Sequence, residues 1–372
     1  MDSTVRRMKP KVVLAKACIS VLFFVVLFSS LREGEFSKIL SQVDPFYFTL
    51  SFLLVPIMIP SSCLKWKVLL AQHGRSISFF FLMRIYLIGY FFSNMLPSNV
   101  GGDVVRSYYI GRHIGDQYQA AVSTFIERFT GIILLLILAI VAPALKPSLY
   151  RSPLVFMPAL GAVGLLSIMV WMWRVPEPLR LPRRVAMDVL GFVRKKVGTD
   201  DPGVSARGID RFERFLDRTF LHLEKFHQKL LLAVGALKGH ARALWAVVVL
   251  TIFFYFMTWV NVYVSFRAFG VDPDFLGISA LVPAAMLVAM MPVTLLGNLG
   301  FTEGVFVVFF GLLEIGSAEA LSMGLLIRLK LLVVGIVGFL FYITYKHREH
   351  DFSEAELIPV ADDVQAEGEH DG

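Results

Sequence analysis

The sequence predicts an all-α membrane protein of about eight transmembrane helices, with one or two re-entrant or broken helices. Of its 372 residues, 56% are hydrophobic and 17% are charged, and the mean hydropathy is +0.67. Ordinary soluble domains are less apolar, and about a quarter of their residues are charged. Two long apolar stretches are interrupted in the same way, each by a proline, a glycine-rich bend and then an acidic residue. These observations favour a polytopic transporter over a soluble enzyme or a simple membrane anchor.

Nine apolar stretches are candidates for membrane spans. A bilayer core about 30 Å thick needs roughly 20 helical residues. Basic residues precede the first stretch as in a signal peptide, but no small-residue cleavage site follows, so we expect an uncleaved helix. The stretches are residues 12–31, 46–64, 79–96, 119–142, 153–173, 243–266, 275–293, 301–316 and 321–345.

The distribution of basic residues indicates which stretch does not cross. Fifteen Lys and Arg residues lie in 174–242, and such residues favour the cytoplasmic side, as do those of the predicted loop around Lys65. If residues 79–96 crossed fully, segment 174–242 would lie outside. We therefore predict eight spans and one re-entrant element near 79–103, with both termini cytoplasmic.

This organisation divides the chain into four sections. Within the basic section, apolar residues recur at a helical period between Ile209 and Leu230, which predicts a helix. That helix would lie either in the membrane interface against anionic lipids or on the cytoplasmic ends of the bundle. The sections are an N-terminal helical half (1–173), a basic cytoplasmic amphipathic segment (174–242), a C-terminal helical half (243–345) with a broken helix near 290–304, and an acidic disordered tail (346–372).

The first break is the strongest candidate for a binding site. Irregular backbone at membrane depth is tolerated only where protein or a water-filled cavity satisfies its polar groups. Asp103 is suited to cap the following helix. The helix N-terminus, together with Arg106, would also suit a phosphate group. The residues of the break are Asn94, Pro97, Gly101, Gly102, Asp103 and Arg106.

The second break has the same pattern of proline, glycines and an acidic residue, and it allows two interpretations. Its glycines either only permit close helix packing, or they accompany an acid that contributes to a binding site. Its residues are Pro292, Gly297, Gly300, Glu303 and Gly304.

Glu127 and Arg128 lie inside the predicted span 119–142. Adjacent residues do not face each other on a helix, so each needs a partner elsewhere. Intramembrane charges cost about 3 kcal/mol on insertion scales, which makes them functional candidates. The alternative is an interfacial pair whose arginine reaches the headgroups. Arg328 lies near the start of the last span, and its side chain could also reach the headgroups.

Recognisable catalytic and metal-binding motifs are missing from the sequence. It contains no phosphate-binding glycine loop followed by Lys, no paired His at metal-ligand spacing and no nucleophile-elbow serine. We therefore predict no catalytic residue, no metal site and no cofactor. Cys18 and Cys63 lie in apolar runs and are expected to be small hydrophobic residues.

The two break motifs, the Glu127-Arg128 pair and Arg328 together resemble the transmembrane region of bacterial lysylphosphatidylglycerol synthases and their stand-alone, flippase-like relatives. The resemblance covers roughly residues 10–345 and implies a multi-pass protein of the bacterial inner membrane. In two-part synthases, the membrane region is associated with moving aminoacylated lipid between leaflets, and a separate soluble domain makes that lipid. This chain ends instead in an acidic tail, so we expect no lysyl transfer. Stand-alone relatives are linked with glycolipid, polyprenyl-linked or hopanoid pathways, which leaves the substrate open.

Three functions are compatible with these features. The first is a flippase that moves an anionic lipid or lipid-linked intermediate. The second is a membrane-embedded lipid-linked transferase with Asp103 or Glu127 as general base. The third is a non-catalytic partner of a glycosyltransferase or another lipid-biosynthesis enzyme, docked through 174–242. No nucleic-acid partner is expected. For the flippase, the substrate-binding residues would be Asp103, Arg106, Glu127, Arg128, Glu303 and Arg328.

Overall fold

The computed structural model describes most of the membrane region. Its described residues are 39, 41–71, 77–95, 101–175, 179–197, 241–291, 293 and 298–355, with scattered positions between 212 and 235. Within them the secondary structure is helical and contains no strand, so the predicted all-α fold is confirmed. Several features predicted from sequence lie outside the described residues: the first span (12–31), Pro97, Pro292, Gly297, both ends of the helix 209–230, and the tail from residue 356.

Eleven helices with described bounds organise the chain, and further described residues between 212 and 231 are also helical. Short 3₁₀ turns at Ala142–Leu145, Pro147–Arg151 and Gly311–Leu313 extend or join them. The helices are α1 (Pro45–Leu53), α2 (Val55–Ala71), α3 (Phe79–Met95), α4 (Gly101–Ile114), α5 (Gln117–Val141), α6 (Pro153–Arg174), α7 (Arg180–Val197), α8 (Ala241–Arg267), α9 (Phe275–Ala289), α10 (Phe301–Phe310) and α11 (Ser317–Ala355).

Five helical stretches are long and apolar enough to cross a membrane. They contain between 22 and 29 residues, which corresponds to about 33–44 Å at 1.5 Å per residue. This exceeds the hydrocarbon core of about 30 Å. The chain is therefore a multi-pass membrane protein. The five stretches are Pro45–Ala71, Gln117–Leu145, Pro153–Arg174, Ala241–Arg267 and Ser317–Tyr345.

Helices α3 and α4 form a hairpin at the first break. They have 17 and 14 residues, or about 26 and 21 Å, so neither crosses the core alone. They run antiparallel, because Gly89 lies against Gly102 and the ring of Phe81 lies 4.3 Å from that of His113. A Cβ atom on Gly102 would lie only 2.1 Å from the Gly89 carbonyl oxygen. This geometry agrees with the predicted re-entrant element.

Helices α9 and α10 form a second hairpin, although the sequence suggested separate spans at 275–293 and 301–316. They have 15 and 10 residues, or about 22 and 15 Å, too short to cross alone. Asn298 donates a hydrogen bond to the Ala289 carbonyl, and Gly277 faces Leu313, so these helices are also antiparallel. The lengths favour a second re-entrant element, while the total number of spans stays a prediction.

The two hairpins open at opposite ends of the bundle. Phe81, near the open end of the first hairpin, contacts Tyr345 at the far end of α11. Asp274, at the start of the second, forms a 3.1 Å ion pair with Lys146, just beyond α5. Because α11 begins directly after the second hairpin, its length separates the two open ends. This arrangement predicts that the hairpins enter the membrane from opposite sides.

These elements form two similar units. The first consists of α1–α5 and the second of α8–α11. Their hairpins and following long helices correspond, because α4 and α10 begin at 101 and 301, and α5 and α11 begin at 117 and 317. The first hairpin packs on the long helix of the second unit, where Leu87 contacts Gly338. Likewise, Leu287 of the second hairpin packs against a cluster that contains Leu136 of α5. Antiparallel repeats of this kind are typical of transporters.

Candidate functional site

A polar cavity lies where the two units meet. It has a volume of about 130 Å³ and is lined mainly by α2, α3, α4 and α5 of the first unit. The second unit contributes Thr251, Phe254 and Tyr255 of α8 and Met290 at the end of α9. Tyr255 also donates a 2.9 Å hydrogen bond to the Gly131 carbonyl of α5, which joins the units at the cavity wall. Lys65, Asp103, Arg106, Glu127 and Arg128 are its charged lining residues.

Glu127 connects three helices of the first unit. One carboxylate oxygen lies 3.1 Å from Lys65 Nζ on α2, and the other accepts a 2.5 Å hydrogen bond from Arg106 Nη2 on α4. All three side chains are at least nine-tenths buried. Buried carboxylates of this kind require paired charges and hydrogen bonds.

Asp103 pairs with Arg128, the residue that follows Glu127. Arg128 approaches both carboxylate oxygens of Asp103, at 2.7 and 3.0 Å, in a two-point contact that suits a guanidinium group. Asp103 also accepts a 3.1 Å hydrogen bond from Arg106 Nε. The sequence prediction that Glu127 and Arg128 find separate partners is therefore correct: Glu127 pairs with Lys65 of α2 and Arg106 of α4, and Arg128 pairs with Asp103 of α4.

The cavity has an excess of positive charge. Three cations, Lys65, Arg106 and Arg128, face two carboxylates, those of Asp103 and Glu127. Arg128 is half exposed and lies at the accessible side of the cluster. One unit of positive charge is therefore not neutralised by the residues that line the cavity.

Arg106 also carries an unused hydrogen-bond donor. Among the described residues, its buried Nη1 atom has no hydrogen-bond partner. Its guanidinium group is held over the rings of Trp66 and Tyr86, at 4.9 and 4.7 Å. Buried donors normally have an acceptor, and leaving one without an acceptor costs about 1–3 kcal/mol. The fixed orientation and free donor make Arg106 the best placed residue to bind an anionic group.

Glu303 and Arg328 lie apart from this cavity. Glu303 is buried. Its carboxylate accepts a 2.8 Å hydrogen bond from the Gly300 amide and a 2.9 Å hydrogen bond from Arg328 Nε. Gly300 has a φ of 83°, a conformation that favours glycine. The pair fastens the second hairpin to α11, and neither residue lines the cavity. Their predicted role in substrate binding stays a prediction.

The remaining break residues mainly shape the hairpins. Asn94 donates a 2.8 Å hydrogen bond to the Leu331 carbonyl and so ties the tip of the first hairpin to α11. Gly102 permits the close contact with α3, and Gly101 begins α4. Gly304 lies in the first turn of α10.

Sequence reasoning missed Lys65 as a site residue. It placed Lys65 in a cytoplasmic loop, but α2 continues to Ala71 and carries this lysine into the bundle, where it is 5% exposed. The signal was the apolar run Val68-Leu69-Leu70, which resumes the helical pattern after Lys67. In the described part of the chain, no cluster of three or more His, Cys, Asp or Glu residues suits a metal ion.

One known family matches most of the chain, including these motifs. The family model described as the lysylphosphatidylglycerol synthase transmembrane region matches residues 13–338. The chain belongs to this family. The match includes both hairpins, the polar cavity and the Glu303–Arg328 pair, so the site lies within the family's common membrane region.

The relatives of this family member are also membrane proteins. A UPF0104 membrane protein of Methanothermobacter thermautotrophicus is 21% identical over 356 residues, which cover 91% of this chain and 95% of the relative. A second UPF0104 membrane protein of that organism is 24% identical over 302 residues, which cover 78% and 83%. No solved structure matches the chain.

Proposed function

We propose that this protein moves an anionic lipid, or an anionic lipid-linked intermediate, between the two leaflets of the membrane. The observation that carries the proposal is the buried, positively charged cavity between two antiparallel units, in which Arg106 Nη1 has no hydrogen-bond partner among the described residues. Membership of the family supports a membrane protein, and the charge of the cavity supports an anionic substrate.

The cavity residues suit a lipid phosphate group. A phosphate oxygen would accept hydrogen bonds from Arg106 Nη1 and from the half-exposed Arg128, since planar guanidinium groups match phosphate geometry. The acyl chains would stay in the surrounding lipid. A volume of about 130 Å³ is below the roughly 300–1,000 Å³ of typical ligand pockets. The cavity therefore fits only the headgroup's anionic part until the units move apart.

The two carboxylates would return the site to its empty state. Asp103 and Glu127 hold the cations in place while no headgroup is bound. A phosphate competes with them for Arg106 and Arg128, and they regain these partners when the lipid leaves. Because the units are antiparallel, the same exchange can occur with the cavity open to either side.

The transferase alternative is less well supported by this geometry. A general base needs a carboxylate that is free to take a proton from its substrate. Asp103 and Glu127 each have two cationic partners instead. The docking alternative and the cytoplasmic placement of both termini remain predictions from the sequence.

Lipid exchange in proteoliposomes tests the proposal. Fluorescent phosphatidylglycerol and phosphatidylcholine would be incorporated separately, and exposure to an external quencher would report their movement. The wild-type protein should move phosphatidylglycerol faster than phosphatidylcholine. Arg106→Gln should slow it by about 10- to 100-fold, because a hydrogen bond to a charged group is worth about 1.5–3 kcal/mol.

Lys146→Gln is the matched control. It also removes one cation from an ion pair, but Lys146 is exposed and lies outside the cavity. Its exchange rate should equal that of wild type. Equal rates for wild type and empty liposomes, or for wild type and Arg106→Gln, would contradict the proposal.

A further inference from the structure

A second cavity is also lined by α2 and α3, but by different residues from those of the polar site. It has a volume of about 320 Å³ and an almost entirely apolar lining, to which α1, α2, α3 and α11 contribute. This size falls in the range of about 300–1,000 Å³ that is usual for ligand pockets. Phe52, Ile59, Met83, Leu87 and Val334 are representative lining residues. The chemistry of such a lining matches a hydrocarbon chain.

One charged residue, Lys330 of α11, lines this apolar cavity. It is 3% exposed and lies near the middle of the membrane-spanning part of α11. Lysines near membrane surfaces extend toward the headgroups. Lys330 instead directs its ammonium group into the bundle, where Nζ donates 2.8 Å hydrogen bonds to Asn261 and Ser265 of α8.

These two partners do not neutralise Lys330. Asn261 accepts through Oδ1 while its Nδ2 donates to the Ser51 carbonyl, and Ser265 donates its own proton to the Asn261 carbonyl. Both are therefore neutral acceptors with fixed orientations. Among the described residues, no carboxylate forms an ion pair with Lys330.

An ammonium group has three hydrogen-bond donors, and two of those of Lys330 are used. A buried cation without a counter-charge is costly, and ionisable residues at this depth are commonly functional. The missing components are thus a negative charge for Lys330 and a hydrocarbon group for the cavity beside it. A single amphiphile with an acidic group supplies both.

We propose that this cavity binds a single-chain anionic amphiphile of the fatty-acid class, with its chain among the apolar side chains and its acidic group paired with Lys330. The proposal does not depend on lipid transport, because binding here requires no movement of the two units. It concerns a site separate from the polar cavity, with a different cation and a different lining.

A binding titration with the full chain in detergent tests it. The probe is a dansyl-labelled fatty acid whose fluorescence rises in an apolar site, displaced by dodecanoic acid or by dodecanol. Wild type should bind the acid more tightly than the alcohol. Lys330→Met keeps a side chain of similar length and should weaken acid binding by about 10- to 100-fold, with alcohol binding unchanged.

A second pair of variants tests the cavity itself. Val333 and its neighbour Leu332 are both exposed, but only Val333 is among the residues that line the cavity. Val333→Trp should abolish displaceable binding of both acid and alcohol, and Leu332→Trp should leave both unchanged. Acid binding that is equal in wild type and Lys330→Met, or that survives Val333→Trp, would overturn the proposal.

Discussion

Arg328 donates a 2.9 Å hydrogen bond to Glu303 across 25 residues of chain, the same separation that joins Arg128 to Asp103. In both units, the acid lies near the start of the hairpin's second helix and the arginine lies on the long helix that follows. The two units therefore resemble each other both in the order of their helices and in the position of an ion pair. In the first unit, Arg106 and Glu127 lie beside this pair, and the polar cavity opens next to them.

The Glu303–Arg328 pair should contribute strongly to stability. Glu303 is 1% exposed, and removing one partner of a buried ion pair costs about 3–5 kcal/mol. Arg328→Gln should therefore lower the thermal unfolding midpoint in detergent. Adding Glu303→Gln should recover part of the loss, because no buried charge is then left alone. Lys146→Gln breaks an exposed pair and should change stability by less than about 1 kcal/mol. A midpoint for Arg328→Gln equal to that of Lys146→Gln would contradict this role.

Gly102 should be essential for the first hairpin. An added Cβ atom would lie 2.1 Å from both the Gly89 carbonyl oxygen and Ser93 Oγ, so α3 and α4 would have to separate. Gly102→Ala should therefore reduce the yield of folded protein and lower its unfolding midpoint. Gly161 of α6 has open space around its added Cβ. Gly161→Ala should be neutral or slightly stabilising, since glycine costs about 1 kcal/mol in a helix. Similar yields and midpoints for the two variants would argue against the close contact.

The hairpin geometry also predicts membrane topology. Cysteines introduced singly at Ser78 and Gly115, at the two ends of the first hairpin, should react with an impermeant reagent from the same side. Those at Asp274 and Glu314, around the second hairpin, should react only from the opposite side. Cys18 and Cys63 would first be replaced. If Gly115→Cys and Glu314→Cys react from one side, the hairpins do not enter from opposite sides.

Much of the fold was readable from the sequence because its signals are local. Apolar length predicts the spans, and glycine followed by an acid marks the start of α4 and α10. The need of Glu127 and Arg128 for separate partners follows from helix geometry alone. The shared polar site, by contrast, depends on which helices meet. Sequence could not reveal that Lys65 reaches Glu127, or that Glu303 and Arg328 pair with each other away from the cavity.

Helix α7 is another element that the sequence did not reveal. The sequence predicted an amphipathic helix between Ile209 and Leu230, whose ends lie outside the described residues, and gave no helix at Arg180–Val197. Proline is tolerated in the first turn of a helix, and Pro182 stands there.

Headgroup affinity in a charge series is the most direct test of the polar cavity. Arg106→Gln makes the five-residue cluster neutral, whereas Glu127→Gln raises its excess to two positive charges and releases Arg106 Nη2 and Lys65. Titration calorimetry with short-chain phosphatidylglycerol in detergent would compare these variants with wild type. The account predicts the tightest binding for Glu127→Gln, intermediate binding for wild type and the weakest for Arg106→Gln, with steps of about tenfold or more. Equal affinities in the three proteins, or tighter binding by Arg106→Gln than by Glu127→Gln, would contradict it.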